Sequence, residues 1–190
     1  NLTVANDATA IIKKDKIIIK GENIEYFKDK SFLLVTNGKI TSIDKSFKIS
    51  SEIIEYKIDE SNLILNKNVK LKDNINNLII ESEEIEYNLQ SKKIVSQSLS
   101  KIIDEFNNIY NVNSFEYSVN ERIVKLDNLF ALDENKNSFL VDLAYLDLNK
   151  KELIAKDISM NFKLIDTSEN EPRLKGRSLI SNEKNTIVKK

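Results

Sequence analysis

The chain has 190 residues, 29 of them basic and 30 acidic, with no histidine and no cysteine. The near-cancelling, interleaved charge excludes the basic footprint that a nucleic-acid backbone requires. The two missing residue types remove the usual general base, the thiol nucleophile, disulfides and the soft-metal ligands.

Length permits one extended domain or two small ones. The chain opens at Asn1 with neither a Met nor the charged-then-apolar pattern of a signal peptide, as a processed product or an excised domain would. No apolar run reaches the roughly 18 residues of a spanning helix. The hydrophobic 41% is dominated by Ile, Leu, Val, Phe and Tyr, with no Trp and one Met. These side chains pack well on a pleated surface, so strands are expected almost throughout.

Along the chain one unit recurs. Ile24-Glu25-Tyr26 returns as Ile54-Glu55-Tyr56, Ile85-Glu86-Tyr87 and Phe115-Glu116-Tyr117, with a weaker echo at Ala144-Tyr145. The tyrosines are spaced by 30, 31, 30 and 28 residues, and of the six in the chain only Tyr110 falls outside the register. Seven residues before the first four stand Ile19, Ile49, Ile80 and Tyr110. Side chains alternate with period two along a strand, so Ile49 and Tyr56 belong to opposite faces unless a bulge or corner intervenes. The small residues Gly21, Ser51 and Ser82 are the expected corners.

After each tyrosine comes a polar turn, such as Lys28-Asp29-Lys30-Ser31 or Asp59-Glu60-Ser61-Asn62, then a second β run, such as Phe32-Leu33-Leu34-Val35 or Leu63-Ile64-Leu65. Each unit is therefore two or three short strands. Units of this size cannot bury a face alone and must stack. Leu99, Ile102, Ile103 and Phe106 have helical spacing, but they occupy the place of the third strand, where a strand or irregular turn is expected. From Asp166 to Lys190 the repeat fades, apolar groups thin out and the only proline, Pro172, occurs. This stretch reads as a linker, which sets the predicted boundaries at 1–165 for the repeat domain and 166–190 for the linker.

No cluster here carries chemistry. Glu55, Glu86 and Glu116 recur, but each alternates with apolar residues as on a half-solvated strand. The glycines Gly21, Gly38 and Gly176 are too scattered for a phosphate loop, and the calcium-loop pattern is missing. No catalytic residue, metal or cofactor is expected. The chain's one distinctive surface is its ladder of rings and β-branched groups, which is either a filled core or the wall of an apolar groove.

The segments 48–56 and 78–87, together with Lys67-Asn68-Val69-Lys70-Leu71, resemble the OstA-type repeat of the bacterial lipopolysaccharide-transport proteins, with lysine where the repeat commonly has glycine. Residues 171–183 are similar to the junction that leads into the transmembrane barrel in the LptD family of outer-membrane translocons. The resemblance implies an all-β antiparallel β-jelly roll, or β-taco, of about five ~30-residue repeats, on the periplasmic side of a Gram-negative outer membrane. It further implies a non-enzymatic domain that takes lipopolysaccharide by its lipid A acyl chains and passes it to a barrel. The implied partners are an LptA-like bridge protein, joined by edge-strand addition, and the chain's own C-terminal barrel with an LptE-like lipoprotein plug. The family's cysteines, which link domain to barrel, are absent from this stretch.

On that resemblance the lipid-lining residues are Ile24, Tyr26, Ile49, Ile54, Tyr56, Ile80, Ile85, Tyr87, Phe115, Tyr117 and Tyr145. The partner-docking edge is Ala8, Ile11, Ile17 and Ile19. A periplasmic bridge protein of the LptA type, or a closed-core structural repeat without lipid, are the alternatives.

Overall fold

Halfway along most strands the backbone turns a corner, and that corner sets the architecture. The computed structural model describes residues 1–132, 138–161, 173–181 and 185–189. Within them, successive antiparallel hairpins build one fifteen-stranded sheet. The first six strands are β1 (Leu2–Ile12), β2 (Ile17–Phe27), β3 (Phe32–Ser42), β4 (Phe47–Lys57), β5 (Asn62–Asp73) and β6 (Leu78–Asn88). Four short ones follow, β7 (Lys93–Ser96), β8 (Ser100–Ile103), β9 (Ile109–Val112) and β10 (Ser114–Ser118). The sheet ends with β11 (Ile123–Leu132), β12 (Ser138–Asp147), β13 (Glu152–Asn161), β14 (Arg173–Ser181) and β15 (Thr186–Lys189).

The corners are written in residue type. On β1, β3, β5, β11 and β13 the chain enters the left-handed region in mid-strand, at Asp7 (φ 47°), Asn37 (48°), Lys67 and Asn68 (65° and 51°), Asn128 (51°) and Asp157 (56°). Apart from Lys67 these are Asn or Asp, the non-glycine residues that best tolerate that conformation. On β4 and β6 the corners fall at the expected serines. The register shifts between Ser50 and Ile53 and between Asn66 and Val69. There the Ser51 hydroxyl reaches the carbonyls of Ile53 and Asn66 at 2.8 and 2.7 Å, taking over acceptors that the bend has released.

In the fourth unit the corner breaks the strand outright, leaving β7 apart from β8 and β9 apart from β10. The hydroxyls of Ser82, Ser96, Ser98 and Ser100 gather across that break at 2.9–3.0 Å. The segment with helical spacing is thus β8 and an irregular turn.

Each corner reverses side-chain parity. Ile49 and Tyr56, an odd number of residues apart, are both buried (2% and 0% exposed). The sheet folds along the line of corners into two limbs that close on each other like a taco. In the second limb the inward row runs Tyr26, Leu33, Tyr56, Leu63, Tyr87, Ile94, Tyr117, Val124 and Leu146, each opposite the next. One residue away lies the outward row Glu25, Leu34, Glu55, Ile64, Glu86, Val95 and Glu116. The period-two pleat alone separates an oily wall from a solvated one.

The expected linker departs from this picture. Residues 162–172, with Pro172, lie outside the described residues, as do 182–184 and Lys190. Arg173–Ser181 and Thr186–Lys189 are strands that extend the sheet from β13. Leu174 faces Met160 and Leu179 faces Ala155 across that pairing. Few apolar groups suffice there because a growing sheet edge supplies the hydrogen bonds.

Candidate functional site

The limbs meet at their tips, and the repeat tyrosines make the junction. The Tyr56 hydroxyl donates to Asp15 in the turn between β1 and β2. The Tyr117 hydroxyl donates to Asp73 at the β5–β6 turn, 2.6 Å away, and accepts from Asn76 Nδ2 at 2.6 Å. Between them the ring of Tyr87 packs edge-on against Phe47 of the other limb, centroids 5.4 Å apart. Lys14 Nζ donates to the carbonyls of Ile58 and Asp59 from outside. Further along, the Lys151 ammonium pairs with Glu105 at 3.0 Å and lies 4.9 Å over the ring of Phe106.

Burial pushes the hydroxyls of Tyr56, Tyr87 and Tyr117 well above the usual phenol range, and the facing aspartates push further in the same direction. Tyr110, the tyrosine outside the repeat register, is buried on β9 and bonds Asp104 of its own limb at 2.9 Å. Its ionisation is raised for the same two reasons.

These tip contacts are out of step by one unit. The turn holding Asp15 meets Tyr56 rather than Tyr26, and the separations of 41 and 44 residues exceed one repeat. A twisted sheet folded on itself brings its halves together at a stagger. The first hairpin of the second limb is therefore left uncovered. On its inner side Thr3 and Ala5 are exposed and Tyr26 is partly so, while Leu33, one strand on, is already 4% exposed. The space between the limbs is thus open at the β1 end. Further in it is filled, since Tyr56, Leu63, Leu65, Ile85 and Tyr117 are all 0% exposed.

The sequence-derived lining divides as follows. Ile24, Ile49, Ile54, Tyr56, Ile80, Ile85, Tyr87, Phe115 and Tyr117 all point between the limbs and are buried. Tyr26 stands at the open end. Tyr145 is placed differently, opposite Lys125 on the outer row and 40% exposed. The inward position of β12 is Leu146, and a slip of one residue in aligning the echo changes the face.

The docking set also divides. Ala8 and Ile11 lie on β1, which ends the sheet and has one unpaired side. Ile17 and Ile19 lie on β2, paired on both sides and 0% exposed, so they belong to the core and not to the edge.

The aspartates that receive the tyrosines escaped the sequence reading although a signal exists. Asp15, Asp44, Asp73 and Asp104 recur with spacings of 29, 29 and 31 residues, the period of the tyrosines themselves. Three of them anchor a first-limb turn: Asp44 accepts from the backbone N–H of Ser46 at 3.0 Å, Asp73 from that of Ile75 at 2.8 Å, and Asp104 from that of Phe106 at 2.9 Å. Hydrogen bonds from Ser46 hold the Asp44 carboxyl down to about 2. Among the described residues no group of carboxylates is placed to hold a metal ion.

No curated protein is matched by the sequence. A crystal structure of LptH, the LptA-homologous periplasmic component of the lipopolysaccharide transport device of Pseudomonas aeruginosa, is similar at 14% identity and a TM-score of 0.30, over 67% of this chain and 82% of that one. The family model described as "Lipopolysaccharide-assembly, LptC-related" matches residues 13–128, more than half of the chain. The chain belongs to that lipopolysaccharide-assembly, LptC-related family.

Proposed function

We propose that the chain is a bridge-type carrier that receives the acyl chains of lipopolysaccharide between its limbs and hands them to a neighbouring module of similar fold. The observation that carries this reading is the inward row from Tyr26 to Leu146, an apolar wall that crosses the second limb strand by strand without a charged residue. Acyl chains need such continuity, while sugars and phosphates remain in solvent. The unpaired side of β1 would receive an LptA-like partner by strand addition.

The bridge reading is preferred to the translocon domain of the LptD type for two reasons. The family match is to LptC-related proteins. In addition, the described part of the barrel-junction likeness, Arg173–Ser181, is a strand of the same sheet and does not lead away from it.

A photo-crosslinking amino acid at position 56 or 87 tests the reading in cells making lipopolysaccharide. Adducts are expected at these inward sites and not at 55 or 86. Adducts confined to 55 and 86 would put the lipid on the outer face and refute the carrier path.

A further inference from the structure

We propose that the row of tyrosine–aspartate contacts at the limb tips is a clasp that must part before an acyl chain can pass beyond the β1 end, so that loading proceeds by spreading the limbs along the rim. The inference rests on the carrier reading and adds the device that controls it.

Three observations lead there. First, the inner space is filled by the protein's own side chains from Leu33 onward, so a chain arriving at Tyr26 finds no void ahead of it. Close-packed interiors do not admit a new chain without displacement of one wall from the other. Second, the two walls are continuous along the corner line, where β1 to β6 and β11 to β13 each run through both limbs. Separation can only start at the tips. Third, polar bonds between the limbs are found at those tips, in the contacts Tyr56–Asp15, Tyr117–Asp73 and Lys14 to the carbonyls of Ile58 and Asp59.

The polar rim makes physical sense for such a device. Hydroxyl and carboxylate exchange their mutual bond for bonds to water as the tips part, which apolar tips could not do. Tyr26, the repeat tyrosine at the uncovered end, has no hydrogen bond to its hydroxyl among the described residues. It marks the place where the clasp row has no opposite member and where parting would begin.

The absence of cysteine allows a clean test. Lys14 and Asp59 are both exposed and sit on opposite tips. The double variant Lys14→Cys, Asp59→Cys, tethered by a reducible bis-thiosulfonate reagent, holds the rim shut without touching either tyrosine. Binding of fluorescein-labelled lipopolysaccharide is followed by anisotropy, with circular dichroism to verify the fold. The expected results are uptake by the untreated double variant, at least tenfold slower uptake once tethered, and full recovery on reduction. Tyr56→Phe, which keeps the ring and loses the bond, should load faster than the parent. Equal rates with and without the tether would overturn the clasp and leave the carrier reading standing. No uptake by the untethered chain would overturn the carrier reading and the clasp with it.

Discussion

The Tyr117 hydroxyl lies 2.6 Å from the Asp73 carboxylate, 44 residues earlier in the chain and on the opposite limb. Asp73 is itself 4% exposed and also accepts from Ile75 and Asn76 of its own turn. One carboxylate thus shapes a turn and fastens the sheet to itself.

Removing the two partners should therefore cost different amounts. Tyr117→Phe deletes the charge-assisted bond to Asp73 and the acceptor of Asn76 Nδ2 while leaving the ring in place, a loss of about 1.5–3 kcal/mol. Asp73→Ala also deprives the N–H groups of Ile75 and Asn76 of their acceptor, and should cost clearly more. Urea unfolding of both variants checks the ordering. Equal midpoints would mean that Tyr117 and the turn do not share this carboxylate.

Alkaline titration should reveal the four buried phenols. Tyr56, Tyr87, Tyr110 and Tyr117 all have their ionisation raised by burial first and by aspartate next. A phenol with a folded value above its unfolded one contributes stability that is complete below the unfolded value, about 10. That contribution is lost as pH rises through and beyond it. Stability should fall above about pH 10, and tyrosinate absorbance of these four should appear together with loss of the β signal. Reversible ionisation of all six tyrosines in a folded chain would contradict their burial.

Gly21 offers a test of the corner. A Cβ there would stand 2.2 Å from Val35 Cγ1, and one at Gly38 would stand 3.0 Å from the same atom. Val35 fills the space that the two glycines leave under the bend. Gly21→Ala should destabilise by about 1–3 kcal/mol, as overpacking does. Combination with Val35→Ala should cost less than the sum of the two single changes. Strict additivity in chemical denaturation would show that the contact is not what fixes glycine at this corner.

At the sheet edge, Ile11 is 61% exposed on β1, the strand with one unpaired side. Ile11→Pro removes a backbone donor from that edge. The domain is expected to stay folded by circular dichroism while losing its complex with an LptA-like partner. An unchanged pull-down would move the docking surface elsewhere.

Much of this architecture is local enough to be legible in the residue order. The recurrence of Ile24-Glu25-Tyr26 fixes the unit and the β period, and the small residues Ser51 and Ser82 mark corners, because pleat and bend depend on neighbours a few positions away. The inward direction of Tyr56, Tyr87 and Tyr117 follows from the same alternation. Where the echo shortens, as at Tyr145, a single-residue slip sufficed to misplace a side chain.

What the tertiary structure alone decided is the relation between the limbs. Asp15 and Tyr56 are both visible as periodic residues, yet nothing local says that they meet each other and that Tyr26 meets no aspartate. That pairing results from twist accumulated over strand after strand, which shifts one limb by a whole unit against the other. The same accumulated stagger leaves the β1 end open and seals the space beyond it. The chain's own order supplied the oily wall; the folding of one limb over the other decided where that wall is accessible.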